Sequence, residues 1–337
     1  MKPPFSPDAL DKIKSTLSTP QKVTLIGHTS PDGDALGCTL AFSNLLRQMG
    51  HDTWVLYPTS FGASLGIMSG AKESIIARDT PDEAAHAIAA SSVIICMDFN
   101  DSKRLGALEQ EVLDSQAFKI LIDHHLHPED FTDVTISYPS VSSSCLLLYH
   151  LIDALGWMDH LTLEAAECIY IGMMTDTGNF SYNSEDPSIY TTISALLERG
   201  IHKDELSDKI SRSYTIDKIR LSAHLLDNNL TILPEYKTAI ITMSMAEKNK
   251  FDYQVGDTEG LVNEPLAAKD IEFSIFLHEM SKYTKISLRS KGDFPVNEFA
   301  KKFFNGGGHK NASGAEVFDS LSGTLRLVKS AVKLMHP

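Results

Sequence analysis

The sequence has little that would tie it to a membrane, an oxidising compartment or a long nucleic acid. No apolar run approaches the roughly 20 residues that a bilayer-spanning helix needs. Its first residues, Met1-Lys2-Pro3-Pro4-Phe5-Ser6, lack the apolar stretch of a secretion signal. A cytoplasmic location is the resulting expectation. Only four cysteines occur among 337 residues: Cys38, Cys96, Cys145 and Cys168. None forms a Cys-x-x-Cys pair and each lies in apolar sequence. They read as buried reduced thiols, not as a disulfide framework or a zinc site. A basic excess is missing too, since the formal net charge is −14. That argues against a protein that coats long nucleic acid by neutralising its phosphates. It leaves room for a short phosphate substrate, because metal ions and a local basic patch reverse the field inside a cleft. No low-complexity tract or internal repeat is visible.

What is present is an ordinary globular composition, 42% hydrophobic, in a chain long enough for two domains. The first half alternates strand-like and helix-like segments. Val23–Gly27, Thr53–Tyr57, Val93–Met97 and Lys119–Ile122 are short β-rich apolar runs. A helix is expected from about Asp34 to Met49, with Asp34 as its cap and Gly50 as its stop. Strands apolar on both faces and alternating with helices predict an α/β domain with a doubly wound, mainly parallel sheet. Helices are expected from about Ser143 to Leu155, from Leu163 to Met174 and over 188–199. The second of these leads into a turn at Thr175-Asp176-Thr177-Gly178. The reading divides the chain into a first domain over 1–200, a charged helical linker over 201–229 and a smaller α/β domain over 230–337.

Acidic and imidazole side chains recur where the apolar runs end. His28-Thr29-Ser30-Pro31-Asp32-Gly33-Asp34 follows the first run, Asp98 the third and Asp123-His124-His125 the fourth. Asp176 follows a helix. In a parallel doubly wound sheet, ligands sit at the carboxyl ends of the strands, which groups His28, Asp98 and Asp123 at one edge. Desolvated carboxylates repel one another unless a cation lies between them. A mixed Asp/His set without thiolate suits Mn²⁺ or Mg²⁺. The expectation is a two-metal hydrolase acting on phosphate esters. In this scheme His28 and Asp32 hold one ion, Asp34 reaches a second, Asp98 bridges both and Asp176 closes the set. Of the adjacent imidazoles, one ligates metal and the other faces substrate. His127 is expected to be exposed and idle, Arg104 to be a surface or structural residue, and Thr175 and Thr177 to support the turn.

The second half carries a different signal, Asn305-Gly306-Gly307-Gly308-His309-Lys310. Consecutive glycines let backbone amides approach an anion, and His309 can donate to a phosphate. Arg289, at the end of a predicted strand, can offer a bidentate fork. From Lys282 to Lys310 seven basic residues face only two acidic ones, which favours an anion site.

Together these motifs resemble the DHH phosphoesterase family. Asp123-His124-His125 is the signature; His28-x-x-x-Asp32-x-Asp34, Asp98 and Asp176 match its other metal motifs. Gly306-Gly307-Gly308-His309 matches the DHH-associated C-terminal domain. Within the family the chain is similar to the short two-domain NrnA-like branch, nanoRNases that trim very short oligonucleotides and often remove the 3′-phosphate of adenosine 3′,5′-bisphosphate (pAp). The resemblance implies two divalent ions, Mn²⁺ foremost, with Mg²⁺ or Co²⁺ as alternatives. One ion would be held by His28, Asp32 and Asp98, the other by Asp34, Asp98, His124 and Asp176. Asp123 would support this set from behind, and His125 would face the substrate. Arg289, Gly306, Gly307, Gly308 and His309 would bind substrate. Linear or cyclic dinucleotide phosphodiesterase and exopolyphosphatase are the enzyme alternatives, and a metal-bound nucleotide sensor is the non-enzyme one. The partner expected is a short oligonucleotide or nucleotide; a homodimer stays open.

Overall fold

In the computed structural model, which describes residues 3–211 and 215–335, the chain divides into two compact units, residues 1–213 and 214–337. The first unit contains α1 (Pro7–Thr16), β1 (Lys22–Ile26), α2 (Gly33–Gln48), β2 (Asp52–Tyr57), β3 (Ile75–Ile76), α3 (Pro81–Ala90), β4 (Val93–Met97), α4 (Glu109–Asp114), β5 (Phe118–Asp123), β6 (Val134–Ser137), α5 (Ser144–Leu155), α6 (Leu163–Asp176), α7 (Pro187–Glu198) and α8 (Lys203–Ser211). Its six strands form a wholly parallel sheet in the order β3-β2-β1-β4-β5-β6.

Each central strand feeds two cores, as the double-sided apolar runs require. Val93, Ile95 and Met97 join one core with residues of α2, α5 and α6. Ile94 and Cys96 join the other with residues of α3 and α4. The order reverses between β1 and β4, and a crevice opens at such a switch point beyond the carboxyl ends of the strands. His28 and Asp98 follow those two strands. All four cysteines are buried thiols.

Two boundaries differ from expectation. Asp32, not Asp34, caps α2: its carboxylate accepts the N–H groups of Asp34 and Ala35 at 3.0 and 3.1 Å. The helix therefore starts at Gly33, where a Cβ would lie 2.2 Å from Thr175 Oγ1. Only glycine lets α2 and α6 approach this closely. Asp34 is thereby placed in the first turn with its carboxylate released from capping. At the other site, α6 continues through Asp176 instead of ending before it. The Thr175 hydroxyl donates back to the carbonyls of Ile171 and Gly172, so the last turn stays helical and the bend begins at Thr177.

The stretch expected as a linker holds two helices: α8 lies in the first unit and α9 (Ile216–Asn228) in the second. Residues 212–214 of that stretch lie outside the described residues. The second unit continues with β7 (Leu230–Leu233), β8 (Thr238–Met243), α10 (Met245–Lys250), β9 (Phe273–Glu279), β10 (Thr284–Ser290), α11 (Val296–Phe304), β11 (Gly307–His309), β12 (Ala312–Val317) and α12 (Leu321–Met335). Its sheet runs β11-β12-β10-β9-β8-β7. Only β8 and β9 pair in parallel; the other neighbours are antiparallel. Alternation governs burial here. Phe273, Ile275 and Leu277 of β9 meet Ile286 and Leu288 of β10, with α11 and α12 covering them. Phe276 faces the opposite side, against Leu221 and Leu225 of α9.

The glycine run is not a loop. Gly307 to His309 form an edge strand in register with β12. Close packing explains two of the three glycines: a Cβ on Gly306 would lie 2.2 Å from the Gly314 carbonyl oxygen, and one on Gly308 2.5 Å from that of Ala312. Gly307 has open space around it.

Candidate metal centre

The parallel sheet delivers the predicted residues of the first unit to one edge. His28 follows β1, Asp98 follows β4 and Asp123 ends β5. Asp32 and Asp34 start α2, and Asp176 ends α6. Asp98 has φ +65°, a left-handed conformation uncommon for a residue with a side chain. Its N–H donates to the Ile122 carbonyl at 3.0 Å, so the strained turn is tied to the neighbouring strand.

The side chains converge as two donor sets that share a wall. His28 Nε2 lies 3.5 Å from an Asp98 oxygen and 3.9 Å from an Asp32 oxygen. His124 Nε2 lies 3.9, 3.6 and 3.7 Å from oxygens of Asp34, Asp98 and Asp176. These spacings are too long for hydrogen bonds. They leave room between the donor atoms for an ion about 2.0–2.2 Å from each. Donor atoms of His28, Asp32 and Asp98 fall within 4.8 Å of one another, as do those of Asp34, His124 and Asp176. Asp98 faces both imidazoles. The oxygen and nitrogen donors, with no thiolate among them, fit hard or borderline divalent ions.

Hydrogen bonds fix which atom of each imidazole is presented. His124 Nδ1 donates to the Val141 carbonyl at 3.1 Å, leaving Nε2 to face the carboxylates. His28 Nδ1 is held by the Thr29 carbonyl at 2.8 Å. Asp123 spends both oxygens on His125: one accepts from Nδ1 at 2.7 Å, the other from the backbone N–H at 3.0 Å. Asp123, Asp98 and His125 also bring donor atoms within 4.8 Å.

Burial and close approach shift the titration of the clustered groups. Burial, then the neighbouring Asp98, pushes Asp34 up to about 7. Burial, then Asp32, pushes Asp98 up to about 7 as well. For His124 burial works downward, but Asp176, Asp98 and Asp34 together raise it to about 9. Burial, then the charge of Arg104, holds His28 below the usual imidazole range. Asp32 is half exposed at its side chain. Its surroundings work to raise its pKa, but His28 and the Ala35 N–H keep it below the ordinary carboxylate value.

Not every residue singled out in the sequence joins this centre. His127 is exposed. Thr177 is buried and serves its turn, accepting the Phe180 N–H at 3.1 Å. Arg104 is exposed yet its charge reaches His28 and Asp32, a role that the sequence reading did not give it. Val141, Ser144 and Cys145, not singled out in the sequence, hold three candidate ligands, His124, Asp34 and Asp98. A serine-rich helix start was visible there, but the partners of Ser144 and Cys145 lie 46 to 111 residues away.

In the second unit, register places His309, Ala312, Arg289, Ser274 and Ala239 in one row across five strands. His309 and Arg289 thus share a sheet face with the small Ala312 between them. Two inter-strand steps separate them, about 10 Å. The basic stretch around them is dispersed. Lys310 pairs with Asp293 at 2.7 Å, Lys291 donates to the carbonyls of Leu266 and Ala268, and Lys301 and Lys302 line a groove with Phe303 and Phe318. Only Lys285 alternates onto the face of Arg289.

Residues 22–173 match the DHH family N-terminal domain and residues 237–334 the DHHA1 domain. The chain is 39% identical to an exopolyphosphatase-related protein from Bacteroides fragilis of known crystal structure, each chain covered in full, with a TM-score of 0.93. It is 27% identical to the bifunctional oligoribonuclease and PAP phosphatase NrnA of Thermus thermophilus, over 86% of this chain and 82% of the relative. RecJ from the same organism, solved in complex with Mn²⁺, shares the fold at 16% identity and a TM-score of 0.56, covering 99% of this chain and 56% of RecJ. Fold and family together define a phosphoesterase, a hydrolase of phosphoric esters. The chain belongs to the DHH family, with an N-terminal DHH domain followed by a DHHA1 domain.

Proposed function

We propose that this chain is a Mn²⁺-dependent phosphoesterase that trims short oligonucleotides and removes phosphate from 3′-phosphoadenosine 5′-phosphate. The observation that carries this reading is the position of Asp98, which faces His28 and His124 at 3.5 and 3.6 Å and so belongs to both donor sets. His28, Asp32 and Asp98 would hold one ion; Asp34, Asp98, His124 and Asp176 would hold the other. Two such ions supply Lewis-acid stabilisation of a phosphoryl group and an activated water at neutral pH.

The chain's own residues do the rest. Asp123 fixes the ring of His125 through Nδ1, so Nε2 is the ring atom turned to the substrate, where it would exchange a proton with the leaving sugar oxygen. Arg104 adds positive charge beside His28, where a substrate phosphate needs it. In the second unit Arg289 and His309 anchor a phosphate or base edge, and the open edge at Gly307 admits the nucleotide without a side-chain clash. Gly306 and Gly308 support that edge by letting β11 lie against β12. No helix among the described residues is long and apolar enough to cross a membrane, and we place the activity in the cytoplasm.

The test is purified protein with Mn²⁺ and a panel of di- to pentanucleotides, pAp, linear and cyclic dinucleotides, and polyphosphate. Rapid turnover of the shortest oligonucleotides and of pAp is expected. A second reading, exopolyphosphatase, is favoured by the name of the Bacteroides fragilis neighbour; turnover of polyphosphate alone would establish it instead. Metal-dependent binding of nucleotides with no turnover of any substrate would identify a sensor.

A further inference from the structure

One short segment that supplies no metal ligand touches three of them. Val141 to Cys145 leads into α5, and all five residues are buried. The Val141 carbonyl fixes His124. The first two N–H groups of α5 clamp Asp34: Ser144 N donates to one carboxylate oxygen at 2.6 Å and Cys145 N to the other at 2.9 Å. The Ser144 hydroxyl donates to Asp98 at 2.8 Å. Helix-start N–H groups have no partner within their own helix and carry the positive end of its dipole. Here they are spent on a carboxylate, not on solvent. Ser143 caps the helix separately, accepting the Leu146 N–H at 3.1 Å, and touches no ligand.

We infer that Ser144 is a positioning residue that couples the two halves of the metal centre. Its N–H orients Asp34, which belongs to one donor set, and its hydroxyl orients Asp98, which belongs to both. An oriented carboxylate presents its remaining lone pairs to an ion without paying rotamer entropy at each binding event. Losing the hydroxyl leaves Asp98 free to turn about its side-chain bonds, and both ions lose affinity. The inference rests on reading the site as a dinuclear metal centre.

Position 144 allows a graded test because it is the first residue of the helix, where proline is tolerated. Ser144→Ala removes the hydroxyl alone. Ser144→Pro removes the hydroxyl and the N–H that holds Asp34. Ser143→Ala removes a cap and nothing that touches a ligand. Mn²⁺ binding by calorimetry and the Mn²⁺ electron paramagnetic resonance spectrum are measured on all three and on the wild type, with metal-free melting curves as the check on folding. Ser144→Ala is expected to weaken Mn²⁺ binding roughly 10–100-fold with little change in metal-free melting. Ser144→Pro should weaken it further. Ser143→Ala should lower the melting temperature by roughly 2–4 °C and keep wild-type Mn²⁺ affinity. A wild type that binds two ions alongside a Ser144→Ala variant of equal affinity and identical spectrum overturns the role of Ser144. If Ser143→Ala weakens binding as much as Ser144→Ala, the effect belongs to the helix and the inference also fails. A wild type that binds no Mn²⁺ overturns the metal centre itself, and the inference with it.

Discussion

The two units place their chemistry in opposite ways. In the first, a wholly parallel sheet sends its chemistry to the strand ends, where acids and imidazoles gather beyond β1, β4 and β5. In the second, a mostly antiparallel sheet carries its candidate residues on a face, where His309 and Arg289 stand in one cross-strand row. The difference follows from strand geometry. Parallel strands buried on both faces have only their ends to offer a ligand. In an antiparallel sheet every second residue of a strand shares a face, and here Arg289 and His309 lie on the face where Phe276 meets α9. Under the proposed function the first arrangement, which concentrates charge at a point, would be met by cations, and the second, which spreads a few donors over a surface, by an extended anion.

Asp98 should give the largest effect. It faces both His28 and His124, so Asp98→Ala should cost at least about a hundredfold in Mn²⁺-dependent turnover. Steady-state kinetics at saturating Mn²⁺ decide this, and near-normal activity would remove Asp98 from the bridging role.

The units should next differ in the sign of their pH dependence. Asp34 and Asp98, at about 7 in the metal-free fold, bind protons that the unfolded chain has released above about pH 4. Their contribution to stability is present at low pH and is lost as pH rises through 7. His278 is the reverse case: burial, then Lys248 and Lys285, lowers it to about 3, and its Nε2 has no hydrogen-bond partner. Its contribution is present above about pH 6.5 and is lost as pH falls towards 3. Metal-free melting curves of wild type and Asp98→Asn should therefore diverge as pH rises from 4 to 8, with the variant the more stable, by up to about a few kcal/mol. NMR titration should find the His278 ring neutral at pH 5. Parallel melting curves, or a His278 midpoint near 6.5, would contradict the respective environments.

Arg289 separates anchoring from chemistry. Arg289→Ala should raise KM for a dinucleotide by roughly ten- to a hundredfold, the worth of a lost charge-assisted hydrogen bond. Hydrolysis of bis-p-nitrophenyl phosphate, which has no nucleotide to anchor, should change much less. An equal loss on both substrates would assign Arg289 to the chemical step or to the fold.

The smallest effects concern the glycine run. Gly306→Ala and Gly308→Ala force a Cβ into the backbone of β12 and should destabilise by about 1–3 kcal/mol. Gly307→Ala meets open space and should stay within about 0.5 kcal/mol of wild type. Denaturant melts of the three variants test this, and equal destabilisation at all three positions would contradict the strand geometry.

This contrast also explains what could be read from the sequence. The first sheet was legible because apolar runs such as Val93–Met97 end abruptly in acids or histidines, and strand ends in a parallel sheet share an edge. The residues that end the runs at β1, β4 and β5 therefore named their neighbours in space. Short or irregular elements were not legible: β6 has four residues and β3 two, too few for a period. The glycine run pointed to an anion site because three adjacent glycines fit that use. Their reason in the fold, the approach of β12, depends on residues 312–315 lying across from them. The supporting contacts of Ser144 stayed hidden for the same reason, since Asp34 lies 110 positions away in sequence and Asp98 46. Asp34 itself was misread as a cap because two aspartates stand at the helix start, and only the hydrogen bonds from the Asp34 and Ala35 N–H groups assign the cap to Asp32.

The central claim is that the first unit holds two ions that share Asp98. Anomalous diffraction from crystals soaked in Mn²⁺ tests it most directly. The account predicts two peaks, one among His28, Asp32 and Asp98 and the other among Asp34, Asp98, His124 and Asp176. A single peak away from Asp98, or none at millimolar Mn²⁺ with substrate still turned over, would contradict it.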